Sequence, residues 1–328
     1  MNRSRRAVDL AASAPGLIIG ALGAGLSATA TRKHRRQAER AAEAEFPGQL
    51  RVLGSRTLFP QNTGSEITFA LAGDPEAVVR LRVGTRDGTG LAEAVAAARA
   101  RADDLRRLLA VFTGQGCPVV AYQSAHRRPW VATGLTNENS AERLREIGEC
   151  VRAWTAGAPT TTQVAIVRPE LARRVPDEAD LPVPLRLDSR RRWAVLLAEP
   201  AHVASYPPGV AEPSVVYLTR SFQQRHAFEA RVSEQAARWL RQRYPEAVVL
   251  HSHGLWSLVP GRVDRSAGRL LFAERQAPRG TATRPEHALT VTVDNNGTFT
   301  GTPVVHRDVR DERGSITLPT DPQGRSPK

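Results

Sequence analysis

A chain of 328 residues, 41% of them hydrophobic, is long enough for one large domain or two ordinary ones and apolar enough to pack a core. Its net charge of +13 does not argue for a polyanionic partner: only Lys33 and Lys328 of the 46 basic residues are lysines, an arginine bias that a GC-rich genome produces together with abundant Ala and Pro. The body also interleaves its charges, as at Arg99-Ala100-Arg101-Ala102-Asp103-Asp104-Leu105-Arg106-Arg107, the pattern of a solvated helix face, so nucleic acid is not expected as a partner.

Residues 1–36 hold seven of the basic residues against the single acid Asp9, and from Leu10 to Thr31 no residue is charged. A run of about 20 uncharged residues is long enough to cross a bilayer. It also has the form of a signal peptide, with small residues at Ala28-Thr29-Ala30 for cleavage. Ser4-Arg5-Arg6 ahead of a mild apolar run resembles the twin-arginine export signal, from which Asp9 departs. Gly16, Gly20, Ala24 and Ala28 lie on one helical stripe, which would let two membrane helices approach closely. Residues 1–31 are therefore expected to be a signal peptide or a transmembrane anchor. The partner through residues 10–31 is the membrane, and the body lies outside the cytoplasm or is secreted.

The body is expected to be α+β, with helices packed on antiparallel sheet, in two halves at 32–160 and 161–306. Its clearest feature is an internal duplication of a helix followed by three strands. Gln37-Ala38-Glu39-Arg40, Phe46-Pro47 and Leu50-Arg51-Val52 match Gln235-Ala236-Ala237-Arg238, Tyr244-Pro245 and Val248-Val249-Leu250 without a gap. Farther on, Leu58-Phe59-Pro60, Phe69-Ala70 and Pro75-Glu76 match Leu258-Val259-Pro260, Phe272-Ala273 and Pro285-Glu286. Val79, Leu81 and Val83 alternate with arginines, and Leu289, Val291 and Val293 with threonines, so each run is a strand with one buried face. Pro47 and Pro245 end the helices, since proline cannot continue the backbone ladder. Gly84 to Gly90 (GTRDGTG) reads as a turn, because it lacks the Lys and the spacing of a phosphate loop.

Between the copies, Leu91, Val95, Ala98, Ala102, Leu105, Leu109 and Phe112 trace one stripe of a long helix closed by Gly114. Cys117 and Cys150 are the chain's two cysteines and lack metal-ligand spacing. In an oxidising compartment they would pair and close a loop of about 34 residues, worth ~3.5 kcal/mol in the chain-entropy model; in a reducing one both would be buried thiols. Residues 118–123 and 130–134 read as strands. Asn139 and Glu142 suggest a capping box opening a helix with the stripe Leu144, Ile147, Val151 and Trp154. Residues 164–167, 193–197 and 215–218 read as short strands, and the proline-rich stretch 169–184 as a surface loop. Phe228, Val232, Ala236, Trp239 and Leu240 form the apolar face of the second copy's helix.

His251 and His253 flank Ser252 in a strand, so both imidazoles would project from one face, as adjacent metal ligands must. Asp264, Glu274 or His287 would be the third ligand. Asp294-Asn295-Asn296-Gly297 is a strong hairpin turn, with 298–305 returning as a strand. Residues 307–328, polar with scattered Gly and Pro, are expected to be a disordered tail. With helices on one face of the sheet, the other face stays wet, and a binding groove is expected there.

The run of helix and strand, Leu58-Phe59-Pro60, Glu66-Ile67-Thr68-Phe69-Ala70 and Asp74-Pro75-Glu76-Ala77-Val78-Val79-Arg80-Leu81-Arg82-Val83 resembles a group of uncharacterised exported lipoproteins of actinobacteria, mostly over residues 37–85. The resemblance implies an envelope location and no known activity. No cysteine follows the apolar run here, so the lipid anchor of that group is absent and an uncleaved helix would replace it. Serine-nucleophile, phosphate-loop, zincin and Cys-x-x-Cys motifs are missing. The expected function is a non-catalytic envelope protein, tethered or secreted, that binds a protein, a peptide or a cell-wall component without a cofactor. The alternatives are a metal-dependent hydrolase using His251 and His253, and a cytoplasm-facing membrane protein touching nucleic acid through clusters such as Arg190-Arg191-Arg192.

Overall fold

The structure, a computed structural model, describes residues 14–58, 64–85, 90–155, 159–311 and 313–318, without the side chains of 14–28 and 253. In chain order the elements are α1 (Ala14–Glu45), β1 (Leu50–Leu58), β2 (Gly64–Leu71), β3 (Asp74–Val83), α2 (Leu91–Gly114), β4 (Val119–Gln123), β5 (Arg128–Ala132), α3 (Ser140–Thr155) and β6 (Thr162–Val167). Three short helices follow, α4 (Pro169–Ala172), α5 (Val183–Leu187) and α6 (Arg190–Leu196). The rest comprises β7 (His202–Tyr206), β8 (Val215–Leu218), α7 (Phe222–Arg241), β9 (Val248–Leu258), β10 (Arg265–Ala273), β11 (His287–Asp294) and β12 (Val304–His306). The fold class is α+β, as the periodicities require.

Two compact units divide the chain. The first runs to Leu108 and adds Glu178–Arg186; the second holds Leu109–Asp177 and everything from Leu187 onward. The division thus falls inside α2 and not at 160. The helix–strand material between the repeat copies joins the sheet of the second copy, a long-range pairing that local periodicity does not register.

In the first unit β1, β2 and β3 form an antiparallel sheet in that order. Alternation turns Ile67, Phe69, Val79 and Leu81 inward, against Ala38 and Ala42 of α1 and Leu91, Ala94, Val95 and Ala98 of α2. The small Ala38 and Ala42, one turn apart, let α1 approach the sheet closely. Each of the large side chains contributes roughly 1.5–3 kcal/mol by its burial. The Thr31–His34 region of α1 is also pinned by polar contacts: Thr31 Oγ1 lies 2.8 Å from Thr57 Oγ1, and His34 Nδ1 lies 3.0 Å from Ser65 Oγ.

The second unit is built on a nine-stranded sheet in the order β12-β11-β10-β9-β8-β7-β6-β5-β4. Its described pairs are antiparallel except β5 and β6, which run parallel and are joined through α3. Ile147, Cys150, Val151 and Trp154 are the buried face of α3, and Tyr206 donates to Leu144 O at 2.8 Å. Gly148 lies so close to the neighbouring backbone that a Cβ there would sit 1.8 Å from Ala211 O. On the other half of the sheet α7 lays Phe228, Val232, Ala236 and Leu240 over Leu270, Phe272, Leu289 and Val291.

Both repeat copies are a helix over three sequential antiparallel strands, and they share a detail that the sequence does not display. Val52 pairs with Phe69 and Gly54 with Thr68, so Leu53 bulges; Val249 pairs with Phe272 and His251 with Leu271, so Leu250 bulges. Val52 therefore corresponds to Val249, one residue away from the gapless alignment. Ile67 faces Leu81, and Leu270 faces Leu289. Leu81 thus corresponds to Leu289 and not Val291, a slip of two that keeps every side chain on its own face.

Several expectations are corrected. Residues 193–197, read as a strand, end the helix α6: the Ser189 side chain caps it by accepting from Arg192 N at 3.2 Å, and Arg192 and Leu196 are its buried residues. A short apolar run fits either period, and the cap decides it. Asn139 accepts from Thr136 N at 2.8 Å and so closes the turn before α3. The stretch 169–184 includes the helix α4, with Leu171 buried, and the start of α5. β7, with four of its five residues buried, has no counterpart among the strands that periodicity predicts.

The polar segment expected as a disordered tail is folded through residue 318, except that Glu312 and 319–328 lie outside the described residues. Val309 N donates to Glu286 O at 3.0 Å, Arg310 bridges Ile316, and Val309 and Leu318 pack with Leu271 and Ala288. Leu271 and Ala288 point away from α7, so this segment covers part of the sheet face that was expected to stay wet. The proposed anchor falls on residues 1–13 and the side chains of 14–28, outside the described residues; among the described residues no helix is long and apolar enough to cross a membrane.

Candidate functional site

The parallel pair in the second unit brings together residues far apart in sequence. Thr133 follows β5 and Arg168 follows β6, both at the carboxyl ends of their strands. Because β7 and β8 continue the sheet antiparallel to their neighbours, the residues at that same end are His202, which begins β7, and Leu218, which ends β8. A crevice outside the carboxyl ends of parallel strands is the usual ligand position in such sheets. Here Gln224, Phe228 and Arg231 of α7 and the turn residues Asn295 and Asn296 complete its walls, enclosing a cleft of about 490 Å³. That lies within the ordinary range of small-molecule sites.

Arg168, Arg220, Arg231 and His202 line the cleft, and among the described residues its lining contains no carboxylate. Arg168 is ion-paired to Glu199, which also binds Arg174 at 2.9 Å; the hydrogen bond from Arg168 holds the Glu199 carboxyl below the usual glutamate range. Arg220 stacks over the Phe228 ring, 3.9 Å from its centroid, and donates to Asn295 O at 3.2 Å. Burial lowers the Arg220 pKa, yet a guanidinium starts so high that it stays charged. Arg231 donates to Asn296 O at 2.8 Å. A guanidinium carries five N–H donors, so one carbonyl bond fixes each group in place without exhausting it.

His202 is half-buried in this wall. Its Nε2 is buried and has no hydrogen-bond partner among the described residues. Burial first, and the charge of Arg220 second, push the imidazole below the usual histidine range against the opposing effect of Val263. A ring nitrogen donates or accepts according to its tautomer, so Nε2 is open to a ligand hydroxyl in either form. An orphaned buried polar atom of this kind is uncommon in folded proteins.

The residues singled out from sequence lie elsewhere. His251 is exposed on β9, beside a smaller cleft of about 250 Å³ lined by His226, Glu229, Ser233 and Trp256. The backbone of His253 pairs with Arg269, and its side chain lies outside the described residues. Asp264 is held by Arg262 at 2.7 Å, while Glu274 lies 3.5 Å from His287. Among the described residues no three His, Cys, Asp or Glu side chains are placed to hold a metal ion.

Cys117 and Cys150 are buried, free thiols. Burial raises both, Cys150 to about 12, with the charge of Cys117 adding to the rise at Cys150. Thiols so shifted are not nucleophiles. In the cluster 190–192, Arg192 is buried and donates to Val120 O at 2.5 Å and to Pro176 O at 3.2 Å, a structural use of its charge. Arg168, His202, Arg220 and Arg231 carry no sequence motif: Arg168 follows β6 and Arg220 shortly precedes α7, while His202 begins β7 and Arg231 lies within α7.

Comparison of the chain with protein-family models, with characterised proteins and with solved structures returns no match.

Proposed function

We propose that this chain is a non-catalytic binding protein of the cell envelope, tethered or secreted through residues 10–31, whose second unit holds an anionic ligand in the basic cleft. One observation carries the reading: three arginines and a buried imidazole nitrogen surround a cleft of about 490 Å³, and among the described residues no carboxylate lines it and none partners that nitrogen. Fixed cations without lining counter-charges favour an anion over any neutral or cationic ligand, and more so inside a cleft, where the effective dielectric is low. The uncharged run and its basic flanks support the envelope location, as does the resemblance over residues 37–85. A ligand met outside the cytoplasm, such as a charged peptide or cell-wall fragment, fits both features.

The test is calorimetric titration of the full chain in detergent with small anions of graded charge, namely acetate, succinate and phosphate. Affinity is expected to rise with charge and to fall at least tenfold in Arg231→Gln, with thermal melting confirming that the variant folds. Equal weak binding of all three by wild type and variant would sink the reading.

A further inference from the structure

Resting on that reading of the cleft, we infer that its ligand is a soluble phosphomonoester whose carbon skeleton carries a hydroxyl group. The inference begins with how charge is distributed. Arg168 has its counter-charge in Glu199. Arg220 and Arg231 bond instead to consecutive backbone carbonyls of one turn, Asn295 O and Asn296 O. Neutral carbonyls orient these two guanidinium groups without cancelling them, so two positive charges are held at one wall of the cleft. A dianion neutralises both; a single carboxylate neutralises one. Phosphate also matches the planar guanidinium fork, which can give it two parallel N–H bonds. The N-terminus of α7, a helix of 20 residues, opens at Phe222 beside the cleft residue Gln224 and adds its partial positive charge on the same side.

Phosphate alone would not fill the space. A cleft of about 490 Å³ has room for roughly sixteen waters at ~30 Å³ each. The remaining wall combines Leu135, Ile166 and Leu218 with two polar groups, Thr133 and His202. His202 Nε2 is the distinctive one. The arginines lining the cleft are donors only, whereas His202 Nε2 is a buried ring nitrogen without a partner among the described residues, and a hydroxyl, which both donates and accepts, satisfies it in either tautomer. A hydroxyl on a skeleton with an apolar face meets both requirements, and a site built to bond a ligand hydroxyl discriminates strongly against analogues lacking it.

Calorimetry on the full chain in detergent would compare ribose 5-phosphate, inorganic phosphate, ribose and succinate, with vesicles containing phosphatidic acid as the lipid-borne form of the same headgroup. Ribose 5-phosphate is expected to bind at least tenfold tighter than inorganic phosphate or succinate, and ribose not measurably. Arg231→Gln should lower its affinity at least tenfold. His202→Phe should bring ribose 5-phosphate down to the level of inorganic phosphate while leaving inorganic phosphate binding unchanged, a split that general loss of structure would not produce. Succinate binding as tightly as ribose 5-phosphate would overturn the inference and leave an anion-binding protein. Tighter binding to phosphatidic acid vesicles would overturn it in favour of a lipid surface. No heat with any anion, from protein with an intact melting transition, would remove both the inference and the reading beneath it.

Discussion

His202 shows how one side chain carries both a cost and a use. Its imidazole is held below the usual histidine range by burial and by Arg220, with the Val263 backbone opposing. The unfolded chain therefore binds this proton more readily than the folded one. The stability that His202 contributes is whole above its unfolded pKa of about 6.5 and is lost as pH falls through and below that value. Denaturant unfolding at pH 7 and pH 5 checks it: His202→Phe should lose less stability between the two than the wild type does, and an identical loss would show that this ring does not titrate with folding. The thiols carry the opposite sign. Cys150 is raised to about 12 by burial and by Cys117, so its contribution is whole below the unfolded thiol value near 8.5 and is lost as pH rises toward 12. Native protein should accordingly react with Ellman's reagent far more slowly than denatured protein, which should release two equivalents promptly. Prompt reaction in the native state would contradict the buried placement. The burial of Cys150 could be read from its helix stripe, but that of His202 could not, because the carbonyl and the guanidinium that set its character lie far along the chain.

At the scale of elements, the legible parts were those with a repeated local period. The stripe from Leu91 to Phe112 and the face Phe228, Val232, Ala236 and Leu240 became α2 and α7 as read, because side chains every three or four residues must share one helix face. The run at 193–197 was misread because five apolar residues fit a strand or a helix equally, and the cap at Ser189 that decides it is a single polar residue. The bulges at Leu53 and Leu250 were invisible for a different reason: a bulge is a relation between two strands, and neither strand announces it. Two predictions belong here. Gly148→Ala should destabilise the protein by about 2 kcal/mol or more, because the new methyl would collide with the Ala211 carbonyl, which is backbone and cannot swing aside. Urea unfolding measures this, and a change within about 0.5 kcal/mol would mean that α3 is not packed so closely. Ending the chain at His306 should also destabilise it, by at least about 1 kcal/mol, since Val309 and Leu318 then no longer cover Leu271 and Ala288. If residues 307–318 were the free tail their composition suggests, the shortened chain would melt unchanged.

The whole molecule joins two outcomes of one duplication. In the first unit the helix–three-strand module stands as its own small sheet, with α2 helping to cover it; in the second the same module is one end of a nine-stranded sheet. The cleft lies where the added strands β5 to β8 meet α7 and the 294–297 turn of the module, so it needs both parts and a comparison of the two copies does not reveal it. The first unit meanwhile bears on the N-terminus. α1 is continuous from Ala14 to Glu45, and its contacts with the first sheet include Thr31, His34, Ala38 and Ala42. Cleavage after Ala30 would leave all four residues in place, so a released protein should melt within a few degrees of the tethered one. Intact mass of the native protein, recovered separately from membrane, culture fluid and cytosol, decides which form exists. A membrane species that keeps residues 1–30 establishes the tether and makes the stripe of Gly16, Gly20, Ala24 and Ala28 worth testing for dimerisation. A species beginning near Thr31 in the fluid establishes release, and the ligand is then to be sought among solutes outside the cell. A full-length chain found in the cytosol alone would sink the envelope location; the cleft, which rests on none of these residues, would keep its anion and be searched against cytosolic phosphomonoesters instead.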